Sequence, residues 1–220
     1  FLNKNNIPFA ILFHSYRDEG VINSTLRKRS NEILSKTSLA FFVAERQRSV
    51  IEKQLRRKLE NSKIVVNPLN LSTHGIIPFP VGKELRMAMV GSLETRWKGH
   101  DILMESLAGN EWKQREWRLE IYGSGKDKSD LMEMAEFYEI SKNVYFKGFE
   151  TDIRKVWAIN QLLVMPSRIE AAPLTVAEAM ICGRPVLTTD IGDMACYFED
   201  GVSGFLACAP NKKYLGIALE

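Results

Sequence analysis

Cysteine is scarce: the 220 residues hold three, Cys182, Cys196 and Cys208, with no CxxC pair and no even-numbered framework. That excludes a disulfide scaffold and points to a reducing, cytoplasmic compartment. Histidine is equally sparse. His14, His74 and His100 have no ligand spacing, so no metal site is expected. No apolar run approaches the ~20 residues of a membrane span, and no signal peptide is visible. The net charge of +3 and the pI near 8.7 are too mild to argue for a nucleic-acid partner. Internal repeats and low-complexity segments are also lacking. What remains, 45% hydrophobic and 26% charged, is the composition of an ordinary soluble chain with room for one large or two modest domains. The chain opens at Phe1 in an extended run and stops at Glu220 inside a helical pattern, as expected of a fragment.

The pattern divides in two. Ile7–Phe13, Leu39–Val43 and Lys63–Asn67 read as strands, and Asn23–Ser35 and Glu45–Leu59 as helices, the second with Ile51, Leu55 and Leu59 on one stripe. These belong to a domain over 1–66. Pro68–Glu84, with three prolines, two glycines and no period, falls within an interdomain linker placed at 67–84. Over 85–220 apolar runs at Met87–Val90, Leu119–Tyr122, Val144–Phe146, Leu162–Met165, Val186–Leu187 and Phe205–Ala207 alternate with helical stretches at Asp101–Leu107, Ser129–Tyr138, Ile153–Ile159 and Thr175–Ile181. Such alternation predicts an α/β, parallel, doubly wound sheet with ligands at the carboxyl ends of its strands.

The most informative stretch is Pro166–Pro185, PSRIEAAPLTVAEAMICGRP. It runs from one buried strand to the next and carries Glu170 and Glu178 with seven residues between them. Pro173 suits the first position of a helix, while Gly183 and Pro185 form a stop. The N–H groups of Ala171, Ala172, Leu174 and Thr175 then open the helix unpaired, a terminus suited to phosphate. Glu170 and Glu178 can accept hydrogen bonds from hydroxyls on either side. Anion plus polyol suggests a sugar phosphate or nucleotide. A glycosidase dyad fits less well: two helical carboxylates eight residues apart stand ~12 Å from each other, against ~5–9.5 Å for such pairs.

Two glycine-rich turns follow strands of the second domain. Gly91-Ser92-Leu93 precedes Arg96-Trp97-Lys98-Gly99, where glycine allows close backbone approach and Lys98 offers a mobile positive charge to a diphosphate. Gly123-Ser124-Gly125-Lys126 is neither a P-loop, since Glu120 and Asp127 occupy the required places, nor a dinucleotide fingerprint, since Lys128 replaces the third glycine. It reads as a turn.

Taken together, E-x7-E within PSR-x-E…P-L…E-A-M-x-C-G-R-P-V resembles the donor-site signature of the retaining family 4 glycosyltransferases of the GT-B fold, over Met87–Leu206 and more weakly back to Ile7. The resemblance implies two Rossmann-like parallel-sheet domains facing a cleft, the N-terminal one incomplete here. It implies transfer of a sugar from a nucleotide-diphosphate donor to a hydroxyl acceptor with retention, without a metal or other cofactor. The acceptor classes would be a polysaccharide, a lipid-linked glycan or a glycolipid. Glu170 and His14 would face the donor sugar, and Glu178 would hold the ribose. Gly91, Ser92, Lys98, Gly123, Phe149, Glu150, Ala172, Leu174 and Thr175 would line the rest of the donor site, with Phe149 and Glu150 near the base.

The chain departs from the family pattern at four places. Ser92 stands where an arginine partners the lysine, Ala171 follows the first glutamate in place of glycine, and Asp193 and Cys196 occupy the places of a glycine and a glutamate. These favour a second reading, a non-catalytic nucleotide-sugar-binding or assembly subunit. A third, an epimerase on the same fold, would need acid and base residues that the sequence does not identify. Eleven Lys or Arg between Arg27 and Lys63, against four acids, make either a solvated helix face or a basic surface for anionic lipid, peripheral at the inner membrane face.

Overall fold

A computed structural model describes residues 7–15, 20–69, 71 and 75–220, so His74 and part of the expected linker lie outside it. The chain divides into two units: Phe1–Pro68 with Ile169–Ala172, and Leu69–Arg168 with Pro173–Glu220.

In the first unit, β1 (Ala10–Phe13), β2 (Leu39–Phe42) and β3 (Ser62–Ile64) form a parallel sheet in that order. Parallel neighbours need crossovers, and α1 (Ser24–Ser35) and α2 (Glu45–Leu55) supply them. Asn23, expected inside α1, instead caps it, its side chain accepting the Leu26 N–H at 2.8 Å. Helix α2 ends four residues before the expected Leu59, because Arg56 turns left-handed at φ 56° and Arg57 N–H returns to Glu52 O. Leu59 is nevertheless 3% exposed, held by a 2.9 Å bond from its N–H to the Glu52 carboxylate. Its burial mimics a helical stripe that the backbone has already left. The sheet packs Phe13 on Phe42, ring centroids 4.7 Å apart, above Leu34, Val50, Ile51 and Leu55.

The second unit holds β4 (Leu85–Val90), α3 (Thr95–Lys98), α4 (His100–Leu107), α5 (Asn110–Lys113), β5 (Trp117–Tyr122), α6 (Lys128–Phe137), β6 (Val144–Gly148), α7 (Ile153–Ile159), β7 (Leu162–Met165), α8 (Leu174–Ile181), β8 (Val186–Thr189), β9 (Gly204–Ala207) and α9 (Lys212–Leu219). Its six strands are all parallel in the order β6-β5-β4-β7-β8-β9. That is the strand order of doubly wound nucleotide-binding sheets, with the switch point between β4 and β7. Alternation along β4 builds both layers: Met87 and Met89 pack with Leu103, Leu107 and Leu119 on one face, and Ala88 with Trp157, Leu163 and Val176 on the other.

Part of the stretch read as a linker is fixed to this unit. The guanidinium of Arg184, 2% exposed, donates to the carbonyls of Ile77 (3.1 Å) and Pro78 (2.7 Å), and Gln161 Nε2 donates to Pro80 O at 3.0 Å. A buried cation with no carboxylate partner among the described residues is tolerated here because carbonyl dipoles surround it.

Candidate functional site

Three strand exits meet at one end of the second sheet. Gly91 N–H donates to Tyr122 O (2.9 Å), Gly123 N–H to Gly148 O (2.8 Å) and Leu93 N–H to Ser124 O (2.9 Å), so the loops after β4 and β5 continue the sheet's pairing as far as the end of β6. This approach requires glycine. A Cβ at Gly123 would stand 1.8 Å from Gly91 O, and one at Gly125 would stand 2.4 Å from Leu93 O. The motif that is not a P-loop is therefore a close backbone crossing.

The crossing leaves a cavity of about 290 Å³ lined by Gly91, Ser92, Tyr122, Gly123, Phe149 and Glu150, with Ile153 and Val156 from α7. Phe149 is 78% exposed and Glu150 accepts the Asp152 N–H at 2.9 Å. Tyr122 closes the wall and donates its hydroxyl to the buried Glu120 at 2.5 Å. Burial first, then Glu120, hold its phenol well above the usual range.

Lys98 lies beside this cavity. A methyl group placed on Gly91 would stand 3.5 Å from Lys98 Cε and 3.9 Å from Nζ, so the ammonium arm crosses the bare backbone of that glycine. Arg96, the other cation of the loop, stacks on Trp97 with its guanidinium 4.6 Å from the ring centroid.

Helix α8 starts one residue later than expected. Pro173 is its N-cap, not its first helical residue: the ring fixes φ at −73°, but ψ stays extended at 124°. Leu174 and Thr175 then supply first-turn N–H groups. The helix closes as read from Gly183, which takes φ +76° while its N–H and that of Arg184 return to Met180 O and Ala179 O at 2.9 Å. The side-chain carboxylate of Glu178, half-buried on α8, has no hydrogen-bond or ion-pair partner among the described residues, and burial raises its pKa. A half-buried carboxylate without a protein partner is available to accept from ligand hydroxyls.

The remaining expected site residues group with the first unit. Ala171 is 3% exposed within that unit's core, Ala172 packs against it, and the Ala172 carbonyl accepts from Asn67 Nδ2 at 3.2 Å. The alanine that replaces glycine thus has a packing role. Glu170 sits half-buried between Arg168 and this pair, and His14 is exposed just after β1. The structure therefore gathers Gly91, Ser92, Lys98, Gly123, Phe149 and Glu150 in the second unit, and carries Glu170, Ala172 and His14 on the first.

Sequence reasoning does not reach Tyr122, Ile153 and Val156 as lining residues. Tyr122 carried a signal, since it closes an apolar run followed by glycine, where strand-end ligands bind.

A doubly wound sheet with a cavity, a lysine and a helix N-terminus at its carboxyl edge has the architecture in which ligands bind at the strand ends. A family model, glycosyl transferases group 1, matches residues 77–219, and the chain belongs to that family. It is similar to the lipopolysaccharide glucosyltransferase WaaG of Escherichia coli (strain K12), at 33% identity over 114 residues, 51% of this chain and 30% of that protein. Among solved structures it resembles a Staphylococcus aureus TarM mutant complexed with fondaparinux, α-GlcNAc-glycerol and UDP (TM-score 0.79, 24% identity, 96% of this chain and 43% of that one). It also resembles Anabaena Alr3699/HepE complexed with UDP-glucose (TM-score 0.80, 20% identity, 98% and 62%). The fold is that of GT-B glycosyltransferases. The match spans less than two thirds of each of these relatives.

Proposed function

We propose that this chain supplies the donor-binding domain, and part of the acceptor domain, of a retaining, family 4-like glycosyltransferase that needs no metal and no cofactor beyond its nucleotide-diphosphate sugar. One observation carries the reading: Lys98 lies across Gly91 beside the Tyr122–Phe149 cavity at the carboxyl edge of the sheet. A base fits the cavity, a diphosphate fits Lys98 and the first-turn N–H groups of α8, and ribose hydroxyls fit the unpartnered Glu178. Glu170 orients the donor sugar and His14 covers it.

In the proposed reaction the anomeric C–O bond to the diphosphate breaks and the acceptor hydroxyl bonds the same face. The departing phosphate oxygen takes up the acceptor proton. Lys98 and the helix terminus stabilise the developing charge. TarM and HepE are each described with UDP or UDP-glucose, which supports a uridine donor as the first to test. The acceptor is a polysaccharide, lipid-linked glycan or glycolipid, and the exposed Lys28, Arg29, Arg56, Arg57 and Lys63 form a surface for an anionic membrane.

The test is calorimetric titration of the chain with UDP, GDP, ADP and their sugars, with Glu178→Ala as control. Binding of one nucleotide sugar, weakened tenfold or more in the variant, supports the reading. No binding by a folded sample removes it. Ser92, which leaves the site one cation short of the family pattern, favours the alternative of a non-catalytic binding or assembly subunit. Tight binding with no turnover against any acceptor class would select that alternative.

A further inference from the structure

Lys98 ends a four-residue helix, and one helical turn does not hold itself. Its geometry is set from outside, largely by one residue, through both its side chain and its backbone. Arg168 donates through both terminal nitrogens to Asp101, Nη1 to Oδ1 and Nη2 to Oδ2, each at 2.7 Å. The same Nη1 reaches Thr95 O at 3.0 Å, and the Arg168 N–H donates to Trp97 O at 2.7 Å. Thus Arg168 grips the first and third residues of α3 and the first turn of α4, on both sides of Lys98.

Two further contacts complete the frame. Asp127 Oδ2 accepts the Thr95 N–H at 2.8 Å. On the other side, Gly99 (φ +73°) lies so close to the β7 exit that a Cβ would stand 2.1 Å from Pro166 O. Asp101 and Arg168 are each about one-third exposed, 31% and 34%. Burial alone would raise the Asp101 pKa, but the hydrogen bonds and charge of Arg168 outweigh it and hold the carboxyl below its usual range. A bidentate arginine–carboxylate pair fixes geometry as well as charge, which a lysine at position 168 could not do.

We propose that the Arg168–Asp101 pair is a positioning device: it clamps the α3 turn to the exit of β7 and so sets Lys98 over Gly91 to meet the diphosphate of the donor. This rests on the donor-site reading above. Arg168 acts through Lys98, and its own guanidinium is committed to Asp101.

Nucleoside diphosphate affinity, measured by calorimetry with UDP, GDP and ADP on the 220-residue chain, tests this through four variants. Lys98→Ala is expected to weaken binding about tenfold or more, the scale of a lost charge-assisted hydrogen bond. Arg168→Lys keeps the charge and loses the fork, and is expected to lose most of the same factor. Adding Arg168→Lys to Lys98→Ala is expected to weaken binding no further, because groups acting through one another are not additive.

Asp101→Asn supplies a test of sign. Removing an anion near a diphosphate site should tighten binding by plain electrostatics, whereas releasing the clamp should weaken it several-fold. Weaker binding supports the proposal and tighter binding overturns it. Additive losses at Arg168 and Lys98 also overturn it, since they would mean that Arg168 contacts the ligand itself. If the parent chain binds a diphosphate and Lys98→Ala weakens it while the Arg168 and Asp101 variants bind as the parent does, the clamp fails and the donor reading stands. If the folded parent binds none of the three, both fall. Thermal melts establish folding, and should Arg168→Lys not fold, the near-isosteric Asp101→Asn decides by its sign.

Discussion

Tyr122 gives its ring to the wall of the cavity and its hydroxyl, 2.5 Å away, to the carboxylate of Glu120, which is 4% exposed. Asn160 Nδ2 donates to the same oxygen at 3.1 Å, and Lys147 Nζ stands 3.7 Å from the other. Tyr122→Phe removes one donor from a buried acid and adds no compensation. The expected cost is about 1–3 kcal/mol of unfolding free energy, read from urea melts. A variant as stable as the parent would mean that Lys147 and Asn160 satisfy Glu120 unaided.

The imidazole of His100 is 1% exposed, and neither of its ring nitrogens has a partner among the described residues. Burial drives its pKa down to about 4; Asp101 and Asp127 oppose the shift and Lys98 adds to it. The unfolded chain takes up this proton near pH 6.5, while the folded chain refuses it until about pH 4. The stability contributed by a neutral His100 is therefore complete above pH 6.5 and is lost as pH falls from there towards 4. Thermal midpoints should drop across that window, and the drop should shrink in His100→Phe, which cannot protonate. An unchanged pH profile in that variant would assign the acid sensitivity to other groups.

The raised pKa of Glu178 makes binding, too, sensitive to acid. It protonates at a higher pH than an ordinary glutamate, because burial disfavours its charge. The ionised form is the better hydroxyl acceptor, so donor affinity should fall on mild acidification before most carboxylates titrate. Glu178→Gln should bind more weakly at neutral pH and lack that component. Parallel affinity curves for parent and variant between pH 7.5 and 4.5 would remove Glu178 from the ribose.

The sequence disclosed most where burial is two-sided. Strand Leu162–Met165 lies inside a sheet covered on both faces and its continuous apolar run gives it away, whereas of Val186–Thr189 only Val186–Leu187 showed, because its second half is two buried threonines. Helices α3 and α5 did not show, since four residues have no period to detect. The end of α2 was obscured because Leu59 remains in the core after the backbone turns at Arg56. The glycines and Lys98 of the site were legible as residue types at strand exits. Their controlling contact was not: Arg168 meets Asp101 across 67 residues of chain, and nothing local to either marks the pairing. The path of Ala171 and Ala172 into the first unit's core was hidden for the same reason.

The basic surface of the first unit makes a separate prediction. Glu32, Glu45 and Glu52 pair with Lys36, Arg48 and Lys58, while Lys28, Arg29, Arg56, Arg57 and Lys63 remain exposed. Binding to vesicles containing phosphatidylglycerol should exceed binding to pure phosphatidylcholine and weaken as salt rises. Replacing Arg56 and Arg57 with glutamate should reduce it several-fold. Equal, salt-insensitive sedimentation with both vesicles would leave these residues as a solvated face.

Ser92 offers a gain of function. The family pattern places an arginine here beside the lysine, and Ser92 is exposed on the lining of the cavity next to Gly91, which Lys98 crosses. An arginine at this position would bring a second cation to the diphosphate without disturbing the buried core. Its benefit is discounted by solvent, to about 1 kcal/mol, or roughly fivefold in affinity. Ser92→Arg should therefore tighten UDP binding by about that factor, with a steeper loss on raising salt. A larger effect on turnover than on affinity would mean that the added charge acts mainly on the departing diphosphate. No change in either would show that the site is complete with Lys98 alone, and the serine would then be no argument for a non-catalytic subunit.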